Sequence, residues 1–229
     1  SAAHADLDGV APDFRVPIGR AIGELERGES LLPMLGALAG LERRMRILLV
    51  FQNPAELRPT GGFIGTIALL DVRHGQVESL ELPGGGSYDV SGISRARVLP
   101  PEPLRLLSPT WQFHDANWFP DFPTTARKLR WFYDASGGPS VDAVVAVNAP
   151  VIEDILALTG PIAIGEHAFS ATDVLTALTD TVEDPRARAT GKPKAIIAAL
   201  APEILHRLLA LRTTDGAMRL ALLDRFLRA

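Results

Sequence analysis

Arg46-Ile47-Leu48-Leu49-Val50-Phe51-Gln52-Asn53-Pro54-Ala55-Glu56-Leu57-Arg58-Pro59-Thr60-Gly61-Gly62-Phe63-Ile64-Gly65 runs from an unbroken apolar segment, through a polar loop with a double glycine, into a second β-prone segment. The five consecutive apolar residues Ile47 to Phe51 have no polar face, which is the pattern of a strand covered on both sides. A central strand of this kind needs partners on both edges and a layer on each face.

Downstream, Phe63 to Val72 and Gln76 to Leu82 are β-prone runs joined by Arg73-His74-Gly75, a hairpin in which glycine supplies the positive φ of a tight turn. Pro83-Gly84-Gly85-Gly86-Ser87 cannot extend the ladder and reads as a loop at a strand end. Residues 92–121, with Pro100, Pro101, Pro103 and Pro109, read as a long ordered excursion over the surface. A helix follows from about Pro123 to Ala135, then a buried strand over Val141 to Val147. Asn148 suits an N-cap for a helix through Ile152, Ile155 and Leu156, with Gly160 just past its end. Ser170 and Asp173 resemble a capping box for a helix over 171–182, and residues 194–212 form an amphipathic helix divided near Pro202.

Upstream, residues 12–45 carry helical spacing broken by Gly28 and Pro33, which predicts two short helices. Strands alternating with helices imply an α/β fold: a layered α-β-α sandwich with a mixed central sheet, plus N-terminal helices. The expected organisation is an N-terminal helical segment, 1–45, packed on a single α/β domain, 46–229.

Of 229 residues, 47% are hydrophobic and 22% charged, the composition of a chain that folds around a core. A formal charge of −4 leaves no basic surface for general nucleic-acid binding. Cysteine is absent, which excludes disulfides, a thiolate nucleophile and cysteine-ligated zinc. No apolar run is long enough to span a bilayer. A start at Ser1 and an end within the helical pattern Arg219 to Leu223 lead us to expect a piece of a longer protein, with any membrane anchor outside it.

Candidate chemistry gathers in two loops. Arg58, leaving a buried strand, suits bidentate binding of phosphate or carboxylate, or pairing with Glu56 or Asp121 to brace the loop. Gly61 and Gly62 serve either as a turn or as a backbone nest for an anion, with Asn53 beside them. Asp115, Asn117 and Asp121 offer oxygen ligands to Mg²⁺; alternatively Asp115 and Asn117 satisfy loop backbone while Asp121 caps the next helix. Trp118 and Phe119 line a pocket or pin the loop to the core. Arg186, Arg188, Lys192 and Lys194 form a late basic segment suited to a phosphate or to solvent. His114 beside Asp115 has the residue types of a base and its orienting carboxylate, but neighbours in sequence seldom meet in that geometry, and no serine stands at a nucleophile elbow. A hydrolase triad is therefore not expected.

The segment Leu48 to Gly65, the segment Asp115-Ala116-Asn117-Trp118-Phe119-Pro120-Asp121-Phe122-Pro123 with Val141 to Val147, and Leu158-Thr159-Gly160-Pro161 together resemble the bacterial domain-of-unknown-function family 4012, over roughly residues 30 to 212. More distantly, the order of elements is similar to that of the LytR-CpsA-Psr family, which transfers glycopolymers from a polyprenyl-pyrophosphate carrier. The resemblance implies an extracytoplasmic, envelope-associated domain, membrane-anchored in the full-length protein. Its ligand would be a phosphate-bearing glycan, an anionic glycopolymer or a lipid-linked carrier. In a transferase, Arg58 would neutralise the pyrophosphate, Asp115 or Asp121 would hold Mg²⁺, and the acceptor glycan would supply the attacking hydroxyl. In the LytR-CpsA-Psr pattern an arginine follows the proline that ends the hairpin. Here Pro83 is followed by Gly84, Gly85 and Gly86, so a non-catalytic scaffold of the same architecture is the alternative.

Overall fold

The computed structural model describes residues 32–106 and 108–210. Helix α1 (residues 32–38) leads into β1 (Met45–Asn53), which is followed by β2 (Phe63–Arg73) and β3 (Gln76–Glu81). β4 (Ala143–Asn148) completes a four-stranded mixed sheet of order β3-β2-β1-β4. β1 runs antiparallel to β2 and parallel to β4, so the apolar strand occupies the central place its composition demands.

Alternation along β1 sends successive side chains to opposite layers. Leu48 and Val50 join Ile64 and Ile67 on one face, where α3 (Phe122–Ala135) contributes Leu129 and Phe132. Met45, Ile47 and Val72 form the opposite face, against Leu38 of α1. The hairpin turn has positive φ at both His74 and Gly75, matching the twist of the strands it joins. The backbone N–H groups of both residues donate to the carbonyls of Gly40 and Ala39, which fastens the turn to the end of α1.

The glycine-rich segment after β3 turns directly into a short helix, α2 (Ser87–Ile93), for which the sequence carries no helical signal. The excursion that follows does not merely cross the surface. It contains two 3-10 turns, Glu102–Leu106 and Phe113–Asp115, and drives Leu104, Trp111 and Phe113 into the first core. Apolar burial therefore orders a stretch with little periodicity of its own.

After β4 come α4 (Pro150–Thr159), the hairpin β5 (Ile162–Ile164) and β6 (His167–Phe169), α5 (Val174–Glu183), α6 (Pro185–Ala189) and α7 (Ala195–Ala210). They enclose a second apolar cluster around Leu156, Ile162, Phe169, Val174 and Leu200. Three local expectations shift. Asn148 ends β4 instead of capping α4, and Ala149 takes the cap position. The Asp173 carboxylate accepts from Ser170 N at 2.7 Å, the reach-back half of the expected capping box, but residues 171–173 form a turn and α5 starts at Val174. Pro33 lies within α1 instead of between two helices. The rest of the proposed N-terminal pair, residues 12–31, and the last two residues of the 194–212 helix lie outside the described residues. Among the described residues no helix is long and apolar enough to cross a membrane.

One buried charge anchors the sheet. Asp71 on β2 is 3% exposed and accepts from Arg46 Nε at 2.8 Å, Arg44 Nη2 at 2.5 Å and Ser79 Oγ at 3.1 Å. The Arg46 hydrogen bond above all holds its carboxyl below the usual range. A depressed carboxyl contributes stability that is fully present above its unfolded pKa and is lost as pH falls through the folded value. Asp71→Asn should cost about 2–3 kcal/mol in urea unfolding at neutral pH, since it removes the carboxylate partner of Arg46, while Arg44 keeps Glu78 at 3.1 Å. The variant should also lose less stability than wild type on acidification below about pH 4.

Candidate functional site

The site is built from the loop that leaves β1. A register shift between Phe51 and Gln52 turns the strand end outward. Gln52, buried, donates from Nε2 to Thr60 Oγ1 at 3.0 Å. The exposed Asn53 accepts on Oδ1 from Ala55 N and donates from Nδ2 to Glu56 Oε1 at 3.4 Å, while the Glu56 carbonyl accepts from Phe63 N at 2.9 Å. Gly61 and Gly62 have φ of 126° and 148°, and a side chain on Gly62 would collide with the Asn53 carbonyl. These glycines make a turn. Fully buried Asn117 donates from Nδ2 to the Gly62 carbonyl at 2.6 Å and so ties this loop to the second one.

Arg58 pairs across the two loops with Asp115, not with Glu56 or Asp121. Nε and Nη2 both reach Asp115 Oδ1, at 3.3 and 3.0 Å, and the guanidinium carbon lies 5.4 Å from the centre of the Phe63 ring. His114 sits beside this pair, its Nε2 3.5 Å from Asp115 Oδ2. The imidazole is flanked by Phe63 and Tyr88, with ring centres 5.6 and 4.9 Å away, and its Nδ1 lies 3.2 Å from Ser91 Oγ on α2. Burial first, then the charges of Arg58 and Lys194, lower the His114 pKa from its ordinary value, opposed by Asp115. This environment favours the neutral ring.

Lys194 reaches the same cluster from much later in the chain. Its backbone N–H donates to the Gly84 carbonyl at 3.3 Å, its ammonium donates to the Gly65 carbonyl, and the same nitrogen lies 5.4 Å from the centre of the Tyr88 ring. Gly86, with φ of 65°, is needed for this approach: a Cβ there would meet both the Gly65 carbonyl and Lys194 Nζ. Burial lowers the Lys194 pKa to about 8, with Asp89 and Glu56 pulling it back up.

The expected site residues thus divide. Arg58, Asp115 and Lys194 gather around His114; Gly61, Gly62 and Asn117 join the two loops beneath them, and Asn53 and Glu56 brace the outer loop. Arg186 and Arg188 are exposed on α6, and among the described residues no hydrogen bond, ion pair or ring contact joins them to the cleft. Asp115 is engaged by Arg58 and His114, and Asp121 caps α3 by accepting from Thr124 N at 2.8 Å. Among the described residues no three His, Asp or Glu side chains converge as a ligand set. Trp118 and Phe119 pack against the first core. A groove of about 590 Å³ runs between α2 and the end of α3, past Pro83, Tyr88, Asp89, Ile93 and Tyr133, and shares Tyr88 with Lys194. A second, of about 780 Å³, follows the open edge of β4 past Pro59, Phe122 and Asn148.

Ser91 and Tyr88 were not singled out from sequence, because α2 was not expected. Tyr88 is three residues before Ser91 and shares its helix face, a signal available only once the helix is recognised.

With this geometry in hand, comparison with known families is specific. The model of a family described as protein of unknown function (DUF4012) matches residues 42–182. The chain belongs to this family. The matched span of this DUF4012 protein contains both site loops and α2, and stops short of Lys194. No curated protein and no solved structure matches the chain.

Removing the cation that holds Asp115 should be legible at the histidine. In Arg58→Ala the imidazole loses a repulsive charge and gains a freed carboxylate, so the His114 pKa should rise relative to wild type. Proton NMR titration of the ring would show this; an unchanged midpoint would mean that the two groups are not coupled.

Proposed function

We propose that this domain binds a phosphate-bearing amphiphile, a glycan or polyprenyl-pyrophosphate-linked carrier of the cell envelope, in the cleft between the 54–62 loop, α2 and Lys194. The carrying observation is the Lys194 ammonium: it is half-buried, close to the neutral range in pKa, and separated by one aromatic ring from an apolar groove. A phosphate brought to it would restore the solvation that burial removes. The apolar part of such a ligand would lie in the groove beside Tyr88, Ile93 and Tyr133. An extracytoplasmic, membrane-anchored context belongs to this reading, and transfer of the bound group would be its extension.

One observation favours a second reading, a non-catalytic scaffold. Arg58 is already paired with Asp115, and Lys194 with the Gly65 carbonyl, so both cations also serve to brace loops. The glycine triplet after Pro83 serves the approach of Lys192 and Lys194, the function of a packed joint.

Thermal unfolding with farnesyl pyrophosphate separates the two. Ligand at 100 times its Kd adds about 2.7 kcal/mol to stability. At roughly 2–4 °C per kcal/mol, a clear upward shift in Tm is expected for wild type and a smaller one for Lys194→Ala. Inorganic pyrophosphate in a parallel arm reports the head group alone. Absence of any shift in wild type would remove the carrier reading and leave the scaffold.

A further inference from the structure

A hydroxyl, an imidazole and a carboxylate lie in series where α2 meets the second loop. Ser91 Oγ lies 3.2 Å from His114 Nδ1, and the opposite ring nitrogen lies 3.5 Å from Asp115 Oδ2. Asp115 is itself fixed from its other oxygen by Arg58 at 3.0 Å. We propose that Ser91 is a nucleophile activated by His114 and Asp115 for acyl transfer from a carboxylic ester. This inference stands on these contacts and does not rest on the phosphate-binding reading.

Each element has a distinct job. A carboxylate facing Nε2 favours the tautomer with its proton on that nitrogen, leaving Nδ1 free to accept from serine. Phe63 and Tyr88 clamp the ring from two sides, so the imidazole cannot readily swing away from α2. Ser91 is partly exposed, and Tyr88, 55% exposed on the same helix face, offers an apolar wall to an acyl chain. The ring nitrogens take the opposite assignment from the familiar triad, which changes neither the proton path nor the chemistry.

In the first step Ser91 Oγ bonds to the ester carbonyl carbon as its proton passes to His114 Nδ1. The carbon–oxygen bond to the alcohol then breaks, and the alcohol leaves with that proton. In the second step water attacks the acyl-serine, gives a proton to Nδ1, and the Oγ–carbon bond breaks; the acid is released and Ser91 regains its proton.

A purely structural role for Ser91 is the competing account, because Oγ also lies 3.3 Å from the Ser87 carbonyl, a helical back-bond. Covalent labelling decides between them. Incubation with a fluorophosphonate, followed by intact-mass and peptide analysis, should give one adduct, on Ser91, and none in Ser91→Ala. His114→Asn should slow labelling by about 100-fold or more. Hydrolysis of p-nitrophenyl butyrate should fall in parallel in both variants. An unmodified Ser91 in wild-type protein that melts normally, or an adduct on a different serine, overturns the proposal; so does wild-type labelling by a folded His114→Asn. Should His114→Asn melt early, the wild-type adduct and its loss in Ser91→Ala decide by themselves.

Discussion

The hydrogen bond from Asn117 to the Gly62 carbonyl is the constraint on which the cleft depends. Both groups are buried, so neither has water as an alternative partner, and losing the bond would leave the full desolvation cost unpaid at the carbonyl. It joins the loop leaving the central strand to the end of the long excursion. Once those segments are joined, Arg58 meets Asp115, and His114 is carried between Phe63 and Tyr88. The glycine at position 62 is required for a related reason: the turn that presents its carbonyl leaves no room for a Cβ against Asn53.

Around that joint, charge is handled by pairing and desolvation. Arg58 and Asp115 pair with one another, burial disfavours the charged form of His114, and burial likewise lowers the pKa of Lys194. Lys194 enters from the residue before α7 and fits only because Gly86 lacks a side chain. Groups whose protonation is perturbed by burial together with specific partners are characteristic of functional clefts, although structural networks produce the same effect. Ser91 adds a hydroxyl 3.2 Å from the imidazole of His114.

Individual elements show how far sequence could reach. The apolar run Ile47 to Phe51 identified β1 as central, and the two β-prone runs around His74-Gly75 identified the hairpin to within a residue or two. Asp121 as a helix cap and Asn117 as a partner of loop backbone were among the alternatives open from the start, and the geometry selects both. Helix α2 was illegible, since seven residues containing Gly92 and two serines carry no amphipathic signal. Missing it hid Tyr88 and Ser91, and with them the contact that gives His114 a partner. The pairing of Arg58 with Asp115, 57 residues away, was equally unreadable.

By itself the sequence determined the central strand, its hairpin, the α/β class and the family, because hydrophobic period, glycine placement and a run of specific loop residues are local properties of the chain. The tertiary structure alone decided which charges pair, that Asp115 and Asp121 serve an arginine and a helix end, and that a serine, a histidine and a carboxylate line one cleft. Those outcomes depend on where three distant segments come to rest against each other. That is settled by burial of Trp111, Phe113 and Leu104 in a shared core and by the need of each buried polar group for a partner.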